Sequence, residues 1–269
     1  FAVGILLAGE KGLPLGRLFE SAAEVFMKLA GVVMEVAPLG VFALMAHSMG
    51  TQGVAVFVQM LVLLVTLYAA CITHILVVYG FLVRVLAGLS FRRFLQGFAN
   101  AMTIAYATSS SSATLPASLE CVQKNLGVHP AVAAPVLSLG AVVNMDGTAA
   151  FMGIVSVFAA AVFGIDLGWA DLIGIGLTAT LVSVCTASIP SASLFRLVIV
   201  TTSIGVTEAQ TALLIGLILP FDRILDMMRT ATNVTGDGAI AVTVAKWEGE
   251  IDLQIYHQRA DNTGSGGFQ

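Results

Sequence analysis

Charge is what this chain has least of. Lysine, arginine, aspartate and glutamate together make up 10% of its 269 residues, whereas an ordinary soluble domain is about a quarter charged. That scarcity excludes a soluble domain with a normal surface. No basic patch is present and the net charge is −4, which excludes nucleic acid as a partner. Cysteine is almost missing too. Cys71, Cys121 and Cys185 are scattered through apolar surroundings without metal-ligand spacing, so they read as small buried hydrophobes and not as disulfides or a zinc site. No recurring stretch of about ten residues alternates apolar with polar, which argues against an outer-membrane barrel. The chain also begins in an apolar run with neither Met nor a basic n-region, so its start reads as a truncated span and not as a signal peptide.

Apolar residues fill the space that charge leaves: 58% of the chain is hydrophobic and mean hydropathy is +0.95. The runs 25–49, 54–89 and 131–164 reach or exceed the roughly 20 residues that cross about 30 Å of hydrocarbon as helix. The expectation is an all-α, multi-pass integral membrane protein with the lipid bilayer as its surroundings. Arg84, Arg92 and Arg93 follow the second run and assign that end to the cytoplasm. Segment 94–121 is interrupted by Thr108, Ser109, Ser110, Ser111, Ser112 and Pro116, too polar and broken for one lipid-facing helix, so it reads as a re-entrant hairpin. Segment 172–202, with its polar tip at 183–193, reads as a second hairpin entering from the other face. Each hairpin is followed by a span, 131–164 and then 212–245. Interrupted helices meeting at mid-membrane in inverted repeats are a recurring build of secondary transporters. After Trp247 the composition turns polar and Gly-rich, and residues 250–269 read as a disordered cytoplasmic tail.

The last span holds Asp222, Arg223, Asp226, Arg229 and Asp237. Each charge at a helix centre costs about 2.5 to 3.5 kcal/mol on insertion scales. At about 100° per residue, Asp222, Asp226, Arg229, Asn233 and Asp237 fall within an arc of roughly 80°. They form one stripe that cannot face lipid, and its surplus acid invites a cation. Asp146, in Asn144-Met145-Asp146-Gly147-Thr148, has no lysine or arginine in its own span. A bare carboxylate there would protonate or bind a metal ion. Na⁺ suits it by the hard-ion, oxygen-ligand logic of Ca²⁺ and Mg²⁺, and Gly147 would break the helix enough to free carbonyls.

Four segments, Ser110-Ser111-Ser112-Ala113-Thr114-Leu115-Pro116, Asn144 to Thr148, Ala187-Ser188-Ile189-Pro190-Ser191-Ala192 and the stretch from Asp226 to Asp237, stand in an order that resembles the dicarboxylate/amino acid:cation symporters, the glutamate-transporter homologues. The resemblance covers residues 21–249, without that family's first three spans and most of its fourth. It implies a glutamate-transporter-like fold divided into scaffold and transport-unit spans (1–89), a transport core (90–249) and the tail. It implies a substrate held between the hairpin tips: Ser110, Ser111, Ser112, Ala187 and Ser188 on the α-carboxylate, Arg229 and Thr148 on the side-chain carboxylate, and Asp226 on the ammonium, with Thr230 and Asn233 close by. It implies Na⁺ sites at Gly140, Asn144, Asn233 and Asp237, at Asn144 and Asp146, and at carbonyls of Ser183, Val184 and Thr186. It further implies no organic cofactor, a homotrimer, elevator-type motion, residence in a plasma or bacterial inner membrane, and an acidic amino acid as substrate.

Departures from the family pattern qualify this reading. Ser109 stands where archaeal members have an arginine, with Arg223 as a relocated charge. Ser188 and Ser191 replace glycines. Met152 occupies the place of a proton-carrying glutamate of eukaryotic members, which argues against their proton-in, potassium-out cycle; Na⁺ symport is favoured, with H⁺ symport or a C4-dicarboxylate substrate as the alternatives. His47 and His74 read as neutral, satisfied histidines, Glu35 as an interface or scaffold contact and Arg196 as either a water-facing charge or a gate residue. An intramembrane serine peptidase lacks support, since no Gly-x-Ser-x-Gly elbow is present. A passive channel would not need the Asp226 and Arg229 pair.

Overall fold

The computed structural model describes residues 2–52 and 55–257, and every regular element among them is helical. The chain divides into two compact units, Phe1–Gly53 and Val54–Gln269. In the first, α1 (Ala2–Leu7) leads through a single 3₁₀ turn into α2 (Leu13–Gln52), which carries the expected run 25–49.

The second unit contains α3 (Ala55–His74), α4 (Phe91–Thr108), α5 (Ser111–Glu120), α6 (Pro130–Val143), α7 (Asp146–Phe163), α8 (Trp169–Val184), α9 (Ala192–Thr202), α10 (Glu208–Ile218), α11 (Asp222–Glu248) and α12 (Leu253–His257). Two stretches of it, Val58–Leu86 and Pro130–Phe163, are long and apolar enough to cross a membrane. The second is not continuous. It breaks at Asn144 and Met145, whose non-helical dihedrals end α6 and start α7. Gly147 lies inside α7 and does not cause that break. A glycine is needed there because α11 comes so close that a Cβ would sit 2.8 Å from Arg229 Cα.

Helices α4 and α5 pack on each other across a two-residue turn, and α8 packs on α9. Ser90 caps α4, accepting from Arg93 N, and Ser110 caps α5, accepting from Ala113 N. Each cap satisfies one of the donors that a helix start leaves open. Between α10 and α11 a 3₁₀ turn, Leu219–Phe221, contains Pro220, so the expected last span is two helices.

Helix α11 is the axis of this unit and packs against α3, α4, α5, α6 and α7. From Arg229 to Ala239 every residue is buried. Its hydroxyls satisfy themselves: Thr232 donates to Met228 O, Thr235 to Ala231 O and Thr243 to Ala239 O, at 2.6–2.9 Å. Small and self-bonded residues let neighbouring backbones approach closely. One apolar cluster surrounds the C-terminal half of α11 with α4 and α6, and another joins α3, α7, α8, α9 and α10. Met228 touches both.

The segment expected to begin a disordered tail starts with structure. Tyr256 is fully buried, its hydroxyl donates to Ser90 O at 3.0 Å, and Arg93 Nε donates to Tyr256 O at 2.8 Å. Burial pushes the Tyr256 phenol up, so it stays a neutral donor. This one aromatic anchor outweighs the polar composition around it. Residues 258–269 lie outside the described residues.

Candidate functional site

The polar stripe of α11 is turned inward: Asp222, Asp226, Arg229, Asn233 and Asp237 are each at most 5% exposed. Arg229 is held on its own helix. Its Nε donates to Asp226 Oδ1 at 2.7 Å, and Nη2 lies 3.2 Å from Asp222 Oδ1. The guanidinium stands 4.3 Å over the Phe151 ring of α7, a cation–π contact that packs one face of it. Nη1 is buried without a hydrogen-bond partner among the described residues, as are both oxygens of Asp222.

A small pocket, here called the chamber, lies beside Arg229. Its wall includes Ser109 and Ser111 of the first tip, Ala187, Ser188 and Ser193 of the second, and Thr148, Asp226, Arg229, Thr230 and Asn233. The space inside is about 20 Å³, room for a single water. Besides Arg229 Nη1, two buried hydroxyls of this wall, Ser109 and Ser193, have no partner among the described residues. The two tips touch: Ser110 Oγ donates to Ser188 O at 2.8 Å. The second tip also reaches α11, where Ser191 N donates to Asp226 Oδ2 at 2.8 Å. Thr230 Oγ1 donates to Asp226 Oδ1 at 3.3 Å. Of the residues expected to touch substrate, Ser110 and Ser112 stand outside this wall, and Ser112 is exposed on the first turn of α5.

The expected cation ligands form separate groups. Asn144 Nδ2 donates to Asn233 O and to Asp237 Oδ1, both at 3.0 Å, and Asn233 Oδ1 accepts from Gly147 N at 2.7 Å. A Cβ on Gly140 would sit 2.5 Å from Asp237 Oδ1. Gly140, Asn144, Asn233 and Asp237 are thus together. Ser183 and Thr186 turn their hydroxyls back onto α8, to Thr180 O and Val182 O. The Ser183 carbonyl itself accepts from Thr186 N at 2.9 Å. Among the described residues no three His, Cys, Asp or Glu side chains converge as a metal cluster.

Asp146 differs from expectation. Its carboxylate is not bare: Oδ2 accepts from Tyr79 Oη at 2.9 Å and lies 3.1 Å from His74 Nε2. In a regular α-helix residues five apart point about 140° from each other. Here the backbone is a π-helix over Ile75–Tyr79, and i→i+5 bonding brings His74 and Tyr79 onto one side. Their rings meet edge to face at 4.9 Å. The sequence reading missed Tyr79, and nothing in an α-helical periodicity would have paired it with His74. It also missed Ser193, and it left Asp222 out of the site. Arg223 donates to Ala107 O at 2.6 Å, so it serves the exposed carbonyl end of α4 next to Ser109.

The family model described as the sodium:dicarboxylate symporter family matches residues 1–247. The chain is 33% identical over 249 residues to the proton/sodium-glutamate symport protein of Bacillus subtilis, covering 93% of this chain and 57% of that protein. It is 37% identical over 234 residues to excitatory amino acid transporter 1 of Rattus norvegicus, covering 85% and 42%. With an excitatory amino acid transporter of Caenorhabditis elegans the identity is 33% over 268 residues, covering 98% and 52%. The chain therefore spans about half the length of these curated relatives.

Proposed function

The chain belongs to the sodium:dicarboxylate symporter family, and on that premise we propose that it is the transport core of a cation-coupled symporter for acidic amino acids. One observation carries the proposal. A fully buried arginine and two buried serine hydroxyls, one from each tip, carry unspent donors on residues that line a single chamber. A buried donor left unmade costs about 1 to 3 kcal/mol, more for a charged group. A carboxylate in the chamber would recover that cost, and Arg229 offers it a planar fork that lysine lacks.

In this reading Arg229 and Thr148 hold the side-chain carboxylate, the first turn of α5 with Ser110, Ser111 and Ser112 and the backbone at Ala187 and Ser188 hold the α-carboxylate, and Asp226 takes the ammonium. Thr230 and Asn233 line the same space. Na⁺ travels with the substrate, bound at Gly140, Asn144, Asn233 and Asp237, at Asn144 and Asp146, and at carbonyls of Ser183, Val184 and Thr186. The oxygen-only ligand sets suit a hard monovalent ion. Because the chamber holds only about 20 Å³, an amino acid fits only when a tip swings away. The two helix pairs act as re-entrant hairpins of an inverted repeat, the second gating the outside, in an elevator-type homotrimer that crosses the plasma or bacterial inner membrane many times. Residues 1–89 supply scaffold and transport-unit spans, and 90–249 the moving core.

A C4-dicarboxylate is the second reading, favoured by Asp226, whose two oxygens are already engaged by Arg229, Thr230 and Ser191 and so have less call on an ammonium. Coupling is tested by radiolabelled aspartate uptake into proteoliposomes of the full-length protein, with Na⁺ and proton gradients imposed separately. Saturable, concentrative uptake under the Na⁺ gradient is expected. Uptake under the proton gradient alone would overturn Na⁺ coupling, and current without saturable uptake would favour a channel.

A further inference from the structure

The break in the helix pair α6 and α7 leaves carbonyls at the end of α6. A helix C-terminus has four carbonyls without intrahelical donors and a partial negative charge. Asn144 N takes Gly140 O at 2.8 Å. The next carbonyl, Ala141 O, accepts from the Ser188 hydroxyl of the second tip. The same residue's own carbonyl accepts from Ser110 Oγ at 2.8 Å, so Ser188 is bonded at both its side chain and its backbone. Three residues on, Ser191 N donates to Asp226 Oδ2. Helix α8, which leads into this tip, packs beside α6, and its own last carbonyls, Val182 O and Ser183 O, are taken by Cys185 N and Thr186 N. The partial negative charge at the end of α6 is met either by a cation or by a protein donor.

We propose that the Ser188 hydroxyl is such a donor: a built-in latch that ties the second tip to the broken end of α6 and lowers the cation concentration at which the tip closes over substrate. The inference rests on the transport reading above. Ser188 acts as a positioning residue, distinct from the role of its backbone toward substrate. Glycine or alanine at 188 leaves Ala141 O without a donor while the Ser110 and Asp226 contacts remain, and closure then needs more Na⁺. Threonine keeps the hydroxyl.

The test is aspartate binding to purified full-length protein by calorimetry across a Na⁺ series, for wild type, Ser188→Gly, Ser188→Ala and Ser188→Thr, with uptake measured in parallel. One net hydrogen bond corresponds to roughly a three- to tenfold change in an equilibrium. The Na⁺ concentration for half-maximal aspartate binding is therefore expected to rise by about that factor in Ser188→Gly and Ser188→Ala. It should stay near wild type in Ser188→Thr, and saturating Na⁺ should restore the affinity of all three. A general folding defect would instead lower affinity at every Na⁺ concentration and would overturn the latch. So would an unchanged half-saturation in Ser188→Gly beside intact, Na⁺-linked binding by the wild type. Absence of aspartate binding by the wild type at any Na⁺ concentration would overturn the transport reading and the latch with it.

Discussion

Replacing Arg229 by cysteine is expected to abolish uptake of aspartate and glutamate while leaving a folded protein. Truncating one partner of a buried, hydrogen-bonded charge pair between a protein and what it binds costs about 2–5 kcal/mol, and each 1.4 kcal/mol is tenfold. A loss of affinity of roughly thirty- to three-thousandfold follows. The variant also leaves Asp222 and Asp226 without their cation, since Arg229 is the side chain that faces both. The chamber keeps its serines and gains volume, so weak uptake of a small neutral amino acid is the accompanying expectation. Competition uptake with aspartate, serine and alanine reads both effects. Retention of aspartate transport within tenfold of wild type would remove Arg229 from the substrate's side-chain carboxylate.

Gly147→Ala is expected to be the most damaging of the single-methyl additions. The added Cβ would meet backbone atoms of Arg229, with Cα at 2.8 Å and C at 2.9 Å, and backbone cannot swing aside as a side-chain tip can. Overpacking of a tight contact costs about 1–3 kcal/mol and occasionally more. Because the displaced segment carries Arg229, uptake falls with stability. Gly176→Ala is the control, since its Cβ meets nothing within 4 Å and the site is helical, where alanine is favoured by about 0.5–1 kcal/mol. Thermal unfolding in detergent should place Gly147→Ala several degrees below wild type and Gly176→Ala at or above it. Equal stability and equal uptake in the two variants would mean that α7 and α11 are not packed as closely as the structure has them.

Much of this was readable from residues alone, for reasons that are physical. Five polar residues at a 3.6 period in an apolar chain leave no choice but an inward stripe, and Asp222, Asp226, Arg229, Asn233 and Asp237 are buried accordingly. The polar runs at Ser109 to Ser112 and Ser183 to Ser193 interrupt helices because hydroxyls compete for backbone bonds, and both became turns between packed helices. What escaped the sequence depends on departures from ideal geometry or on distant partners. The π-helix at Ile75–Tyr79 changes which residues share a face, so Tyr79 and His74 could not be paired with Asp146 by counting. The helix break falls at Asn144 and Met145, while Gly147 answers a steric demand from a helix some eighty residues later. Tyr256 is a single buried aromatic in a polar stretch, a signal too small for composition to carry. The orphaned donors of Ser109 and Ser193 are visible only once the two tips and α11 are in one space.

The central claim is that the ridge of α11 faces a chamber shaped for a zwitterion with an extra carboxylate, and substrate choice tests it most directly. Full-length protein in proteoliposomes, energised by a Na⁺ gradient, should accumulate radiolabelled aspartate and show little uptake of radiolabelled succinate, whose second carboxylate would meet Asp226. Accumulation of succinate with no uptake of aspartate would contradict the account.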